Sequence, residues 1–327
     1  MNPRRLLTHF CIAAAAVAAA YLVSARPAAK RPDADKPVLY RATADELRQI
    51  AFASPTAALT LEPRTDDSQQ PYTWVTMTAE RRTPISFRGN RRAAFVLQGY
   101  APLRAIRTLG HLTPAQLREG GLDGSLGTVT IQTVSGERRL VLGTDTVAGE
   151  GRRALDPESG EVFIVAGELL PSPDHAAREM FDSALHSFAA DEISRMTIQS
   201  LGRVREALSV GHQEGPTSWS WREDPEHPSQ ELTSWAEHVE RMIARGPIPT
   251  DVSGEPVLTV SYFHAEQPRG FLKLWPCVPE DRRVRCFAMT ERTIGLVEVG
   301  AVAGQIINDA QRMLGAAGGG EQARAVK

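Results

Sequence analysis

The stretch "AADEISRMTIQS", Ala189 to Ser200, opens in the same way as "TADELRQIAFAS", Thr43 to Ser54. Each gives Ala-Asp-Glu, an aliphatic residue, two polar-leaning positions and an apolar run that ends in serine. Three shared residues carry no weight alone. The order of the elements downstream of each opening does. After Thr43, "TAALTLEP" and "YTWVTMT" alternate as strands around a polar break. "APLRAIRTLGHLTPAQLREGGL" comes next, with Leu103, Ile106, Leu109 and Leu112 spaced for one helical face. Thr113-Pro114 is a cap with Pro at the first helical position, and Gly120-Gly121 stops that second helix. "GTVTIQTVSGERRLVLG" is a hairpin about Ser135-Gly136, and "RRALDPESGEVFIVA" is another. "SPDHAAREMFDSALHSF" reads as a closing helix, capped by Ser172, with an apolar stripe of Ala177, Phe181, Ala184, Leu185 and Phe188.

The second half keeps that order. "EALSVGHQ" and "TSWSWRE" come after the opening, with Trp219 in the place of Trp74. "SQELTSWAEHVERMIARG" is a helix that turns Leu232, Trp235, Val239, Met242 and Ile243 inward and ends at Gly246-Pro247. "EPVLTVSYF" and "RGFLKLWPC" form a hairpin. "PCVPEDRRVRCFAM" stands for "ALDPESGEVFIV", placing Phe287 opposite Phe163, and "TIGLVEVGAVAGQIINDAQRML" is the closing helix. The expected fold is therefore α+β: two tandem copies of an antiparallel-sheet-plus-helices unit after an N-terminal signal or anchor segment. The divisions are 1–25 for that segment, 26–40 for a disordered linker, 41–188 and 189–316 for the units, and 317–327 for a flexible tail.

The totals agree with two globular units. A chain of 327 residues suggests two domains of roughly 150 residues each. A net charge of −2 leaves no basic field for nucleic acid, so no nucleic-acid partner is expected. Only Lys30, Lys36, Lys273 and Lys327 stand against many arginines, which reads as composition bias. The start differs from the rest. Two arginines precede an uncharged run from Leu6 to Val23, and Val23-Ser24-Ala25 has the small-x-small form of a signal-peptidase site. The run is just long enough to span a bilayer, though alanine drives insertion weakly. Export is expected, with the segment either cleaved or retained as an inner-membrane anchor over residues 6–23. Arg26 to Pro37 is rich in Pro, Ala and charge, as linkers are. The location is thus periplasmic or extracytoplasmic.

Cys277 and Cys286 flank a Val-Pro-Glu-Asp turn and stand opposite each other in a hairpin pattern. In an exported protein such a pair is expected to form a disulfide. The alternative is two reduced core cysteines.

Catalytic motifs are sparse. No Gly-x-Ser-x-Gly elbow, phosphate loop or dinucleotide fingerprint occurs. His227 lies among Glu223, Asp224 and Glu226, which reads first as a solvated loop. Glu237-His238 lacks the paired histidines of zinc proteases. No catalytic residue, cofactor or metal ligand is assigned. Trp219, Trp221, Trp235 and Trp275 read as core; if exposed together, they would mark a binding surface.

One resemblance adds to this. "LTPAQLREGGLDG", "GTVTIQTVSGERRLVLGTDTVAGEGRRAL" and "EVFIVAGELL" are similar to the bacterial domain-of-unknown-function 4340 family. Gly121-Leu122-Asp123, Leu140-Val141-Leu142-Gly143, Val162 to Val165 and Asp191-Glu192-Ile193 fill its pattern, over roughly residues 40 to 300. Arg153-Ala154-Leu155 departs from it, where the family has a Tyr-Val strand. The resemblance implies a membrane-tethered extracytoplasmic protein beside ABC-transporter auxiliary subunits of the gliding-motility type. The expected role is a non-enzymatic docking or accessory component whose partner is an envelope or membrane protein. A solute-binding protein with its ligand between the units, or an exported hydrolase, are the alternatives. A Ser or Asp beside a histidine in a cleft would favour the hydrolase.

Overall fold

The computed structural model describes residues 36–316 apart from 68, 81–82, 124–125, 147–148, 150, 211–216, 250–251, 253 and 281–282. The signal or anchor segment, most of the expected linker and the tail lie outside the described residues. The linker's last residues are ordered: β1 (Val38–Tyr40) pairs with a short strand after the first helix.

The chain then builds β2 (Leu47–Ala53), β3 (Ala57–Thr65), β4 (Pro71–Ala79) and β5 (Ile85–Arg88) as a meander. Helix α1 (Arg91–Gln98) comes next, then β6 (Leu103–Arg104), β7 (Arg107–Gly110) and α2 (Pro114–Glu119). β8 (Thr128–Thr133), β9 (Gly136–Asp145), β10 (Gly151–Leu155) and β11 (Val162–Ala166) complete a nine-stranded sheet. Its order is β5-β4-β3-β2-β8-β9-β10-β11-β7. A short helix, α3 (Ala176–Met180), leads out.

The second sheet uses β12 (Arg195–Ser200), β13 (Arg203–Val210) and β14 (Ser218–Trp221), then helix α4 (Gln230–Glu240) and β15 (Ala244–Pro247). β16 (Leu258–His264), β17 (Gln267–Leu274), β18 (Val278–Glu280), β19 (Arg283–Thr290) and β20 (Val297–Val299) precede the last helix, α5 (Val302–Ala316). The order is β14-β13-β12-β16-β17-β19-β20-β15, with β18 on β19. The fold is α+β and mostly strand, with its described pairings antiparallel.

Period-two alternation decides both sheets. Ile50 and Phe52 of β2 face Ile131 and Val129 of β8 on one side and Leu61 and Leu59 of β3 on the other. All six are buried in one cluster, under Ala93, Val96 and Leu97 of α1. In the second sheet, Met196 and Ile198 face Tyr262 and Val260. Leu232, Trp235 and Val239 of α4 cover them, with Ile306, Ala310 and Met313 of α5. Trp235 Nε1 donates to the Ile306 carbonyl at 3.0 Å and locks the two helices together.

Several expectations are corrected. Leu103 to Leu112 is not helical. Leu103 and Ala105 are fully buried while Arg104 and Ile106 are half-buried, which is strand alternation. The helix lies earlier because Asn90 caps it: its Oδ1 accepts from Arg92 N (2.8 Å) and Ala93 N (3.3 Å). The closing helix of the first half stops at Met180. Beyond it Phe181 bridges Gly89, and tertiary partners hold the chain extended. Helix α4 ends at Glu240, so Gly246-Pro247 belongs to β15, paired with β20. Ile243 is consequently 61% exposed instead of inward. Phe163 lies on β11, one strand in from an edge, whereas Phe287 lies on β19, two strands in, so they are not equivalent. Trp219 is buried, but Trp74 stands on the face opposite fully buried Val75. A one-residue offset along a strand is enough to exchange faces.

Cys277 and Cys286 have their sulfurs at disulfide distance, 2.09 Å. The rungs Val278–Arg285 and Glu280–Arg283 of the β18–β19 hairpin bring them together.

Candidate functional site

The residues joining the two sheets make the most unusual site. Phe181 packs on both core clusters, and Asp182 accepts a two-pronged bond from Arg292, at 3.0 and 2.7 Å. The Leu185 carbonyl accepts a hydrogen bond from the buried Thr290 hydroxyl. Between them, Glu291 reaches inward. Its carboxylate accepts from His186 Nδ1 (3.2 Å), the Ser187 amide (3.1 Å) and the Phe271 amide (3.1 Å). The turn Thr290–Thr293 thus grips the incoming chain at three successive places.

Because Nδ1 meets a carboxylate, it carries a proton; Nε2 is then an acceptor in the neutral tautomer and a donor in the imidazolium. Nε2 is buried and has no hydrogen-bond partner. The Tyr262 hydroxyl shares that condition. The His186 and Tyr262 rings meet edge to face with centroids 4.9 Å apart, and Phe188 packs on both, at 4.7 and 5.2 Å. Burial pushes the Tyr262 phenol well above its ordinary range, and the Glu291 charge pushes the same way. Its proton stays on.

Gly270 makes the arrangement possible. A Cβ there would lie 2.6 Å from the Glu291 carboxyl carbon and 2.7 Å from Phe188 Cε1. Only hydrogen at that position leaves room for both.

His186, Phe188 and Tyr262 line a groove of about 710 Å³ beside α4. Leu185, Trp219, Val239, Met242 and Ile243 supply apolar walls. Asp191, Glu237, Glu240 and Arg241 also line it, with Arg241 held by Glu237 at 3.1 Å. The carboxylates outnumber the guanidinium. A second hollow, about 470 Å³, lies against the first sheet by Phe52, Arg152 and Pro171. Among the described residues it is lined by no orphaned buried polar side-chain atom.

Chemically, Glu291 fixes the His186 ring, whose Nε2 accepts in the neutral tautomer, and Tyr262 can present a donor beside it. Ser187 is next to His186, but its hydroxyl goes to Glu291 at 3.4 Å, not to Nε2, so His186 does not activate it.

The sequence-singled residues fall elsewhere. Trp219, Trp235 and Trp275 are 5%, 2% and 7% exposed, and half-buried Trp221 packs against the core with Arg205 3.6 Å from its ring centre. The four tryptophans therefore form no exposed surface; only Trp219 lines the groove. His227 bonds Asp224 at 2.7 Å on the surface, and Glu223 pairs with Arg205. No group of three or more potential metal ligands is assembled among the described residues. No described helix is long and apolar enough to cross a membrane. Neither His186 nor Glu291 was singled out from sequence; the signals were Gly270 inside a strand and the Thr-Glu-Arg-Thr turn.

No family model, curated protein or solved structure matches this chain.

Proposed function

We propose that this chain is a non-catalytic binding component of the cell envelope, built as two copies of one unit, whose second copy carries a small-molecule site in the α4 groove. The observation that carries the reading is the groove itself: a largely apolar lining with a charged margin, and beneath it two buried polar atoms without partners. Its volume, about 710 Å³, falls in the usual range for ligand sites. Buried polar groups are nearly always satisfied, and an exception asks for a cause. A bound ligand supplies one.

The two-copy part of the proposal is supported by strand order. Reading from β7 and from β15, the sheets run β7-β11-β10-β9-β8-β2-β3-β4 and β15-β20-β19-β17-β16-β12-β13-β14. Each place in the first list has its counterpart by chain position in the second, and β5 is the addition. Export is supported by the N-terminal sequence and by the cysteine pair, a combination suited to an oxidising compartment. The accessory role beside an ABC-type transporter rests on the sequence resemblance alone.

The test is a fluorescence titration with N-phenyl-1-naphthylamine, a neutral apolar dye. The native protein is expected to bind it saturably. Ala236→Phe, which places a ring in the groove from α4, is expected to lose binding while keeping its circular-dichroism spectrum. Equal binding by both proteins would remove the groove from the account.

A further inference from the structure

The polar pair on the groove wall specifies a head group. With the His186 ring in its neutral form, as in a carboxylate-held tautomer, Glu291 takes the Nδ1–H bond and Nε2 is an acceptor. The Tyr262 hydroxyl donates and has no acceptor. One group satisfies both atoms only if it carries an O–H or N–H donor beside an acceptor. Resting on the binding role above, we infer that His186 is held as the neutral tautomer and that the groove takes a neutral amphiphile with such a head, a carboxamide or an alcohol, on a short apolar chain.

Other heads fit less well. A carboxylate has acceptors only, so it faces the Nε2 lone pair without a proton to give. It would also sit near Glu291 and pass Asp191, Glu237 and Glu240 on the way in. An ammonium can give a proton to Nε2 but leaves the Tyr262 O–H with nothing to donate to, and burying its charge is costly. The apolar chain finds Leu185, Val239 and Met242.

Phe188 is the gate. It lies against both the His186 and Tyr262 rings and lines the groove, and the two polar atoms are shielded from solvent. The head reaches them when this half-buried ring swings aside. The ring gives up aromatic contacts, and two orphaned groups gain partners. Leaving such groups unpaired is the costlier condition.

The experiment uses displacement of N-phenyl-1-naphthylamine by octanamide, octanoate and octylamine at pH 7. Octanamide is expected to displace the dye at a concentration about tenfold lower than either charged analogue. Tyr262→Phe is expected to erase that preference, with each probe's displacement compared at that variant's own dye affinity. The same variant should unfold at the same or higher urea concentration than the native protein, since it loses a hydroxyl that had no partner. Equal displacement by all three probes, or a preference that survives in Tyr262→Phe, would overturn the head-group assignment with the groove intact. A fall in the urea midpoint would show that the hydroxyl has a partner within the protein, and would overturn it too. No saturable dye binding would refute the binding role itself, and the head-group assignment with it.

Discussion

Replacing Gly270 by alanine should break the Glu291 cradle. The added Cβ would stand 2.6 Å from the Glu291 carboxyl carbon and 2.7 Å from Phe188 Cε1. Ordinary carbon contacts begin near 3.5 Å, so the carboxyl must retreat by about 0.9 Å. Such a retreat stretches its bonds from His186 Nδ1, Ser187 N and Phe271 N, all now between 3.1 and 3.2 Å. Hydrogen bonds to a charged group contribute about 1.5–3 kcal/mol each, and one or two would be weakened rather than lost. Adding a methyl to a packed site costs about 1–3 kcal/mol. The expected destabilisation is about 2–4 kcal/mol, read as a lower midpoint in urea monitored by tryptophan fluorescence. The control is Glu291→Ala, which removes the obstructing carboxyl. Gly270→Ala introduced into Glu291→Ala should cost less than half as much as in the native background, because only Phe188 must then move. A Gly270→Ala protein within about 0.5 kcal/mol of the native one, or the same cost in both backgrounds, would refute the reasoning.

Other outcomes rest on the same geometry. Tyr100→Phe should cost about 1–2 kcal/mol, since the buried hydroxyl donates to the Leu169 carbonyl at 3.0 Å, and urea unfolding reads it. Burial pushes the Tyr100 phenol above its ordinary value, and burial with the Glu291 charge does so for Tyr262. A folded pKa above the unfolded value of about 10 means stability is full below that pH and falls as pH rises past it. The urea midpoint should therefore hold to about pH 9.5 and drop as pH rises past about 10, and less so in Tyr100→Phe; a flat profile through about pH 11 would contradict this. Asp156 titrates the other way. Burial would raise its pKa, but bonds from Ser159, Arg138 and the Glu158 amide outweigh that and hold it low. Its contribution is present above the unfolded value of about 4 and lost as pH falls, so Asp156→Asn should flatten the acid limb of the stability profile. For the cysteine pair, alkylation of Cys277 and Cys286 should add mass only after reduction, and labelling without reductant would reject the bridge.

Much of the sheet architecture was legible because hairpins write period-two alternation beside turn residues. "GTVTIQTVSGERRLVLG" folds as read, as β8 and β9 about Ser135-Gly136. The Thr113 cap, Pro114 at the first helical position and the Gly120 stop were local signals and also held, and the structure adds Gln116 as the return half of a capping box. The misread elements were settled by distant partners. Leu103, Ile106, Leu109 and Leu112 fit a helical stripe, but β11 offers an open edge to Arg107–Gly110. Phe181 to Phe188 carries a helical pattern, but Arg292, Thr290 and Glu291 pull that segment straight. The site was illegible for the same reason. His186 and Glu291 are 105 positions apart, and neither has a local motif that announces the other. The tryptophans drew notice by size, which marked the core.

The central claim is that a ligand enters the α4 groove of the second sheet, and the protein's five tryptophans allow a direct test. Labelling with 5-fluorotryptophan gives one ¹⁹F resonance for each, assigned by single Trp→Phe variants. Saturation with octanamide is expected to shift the Trp219 resonance, which reports on the groove wall, and to leave Trp74 on the first sheet unmoved. A shift of Trp74 without Trp219, or no shift at all, would contradict the account.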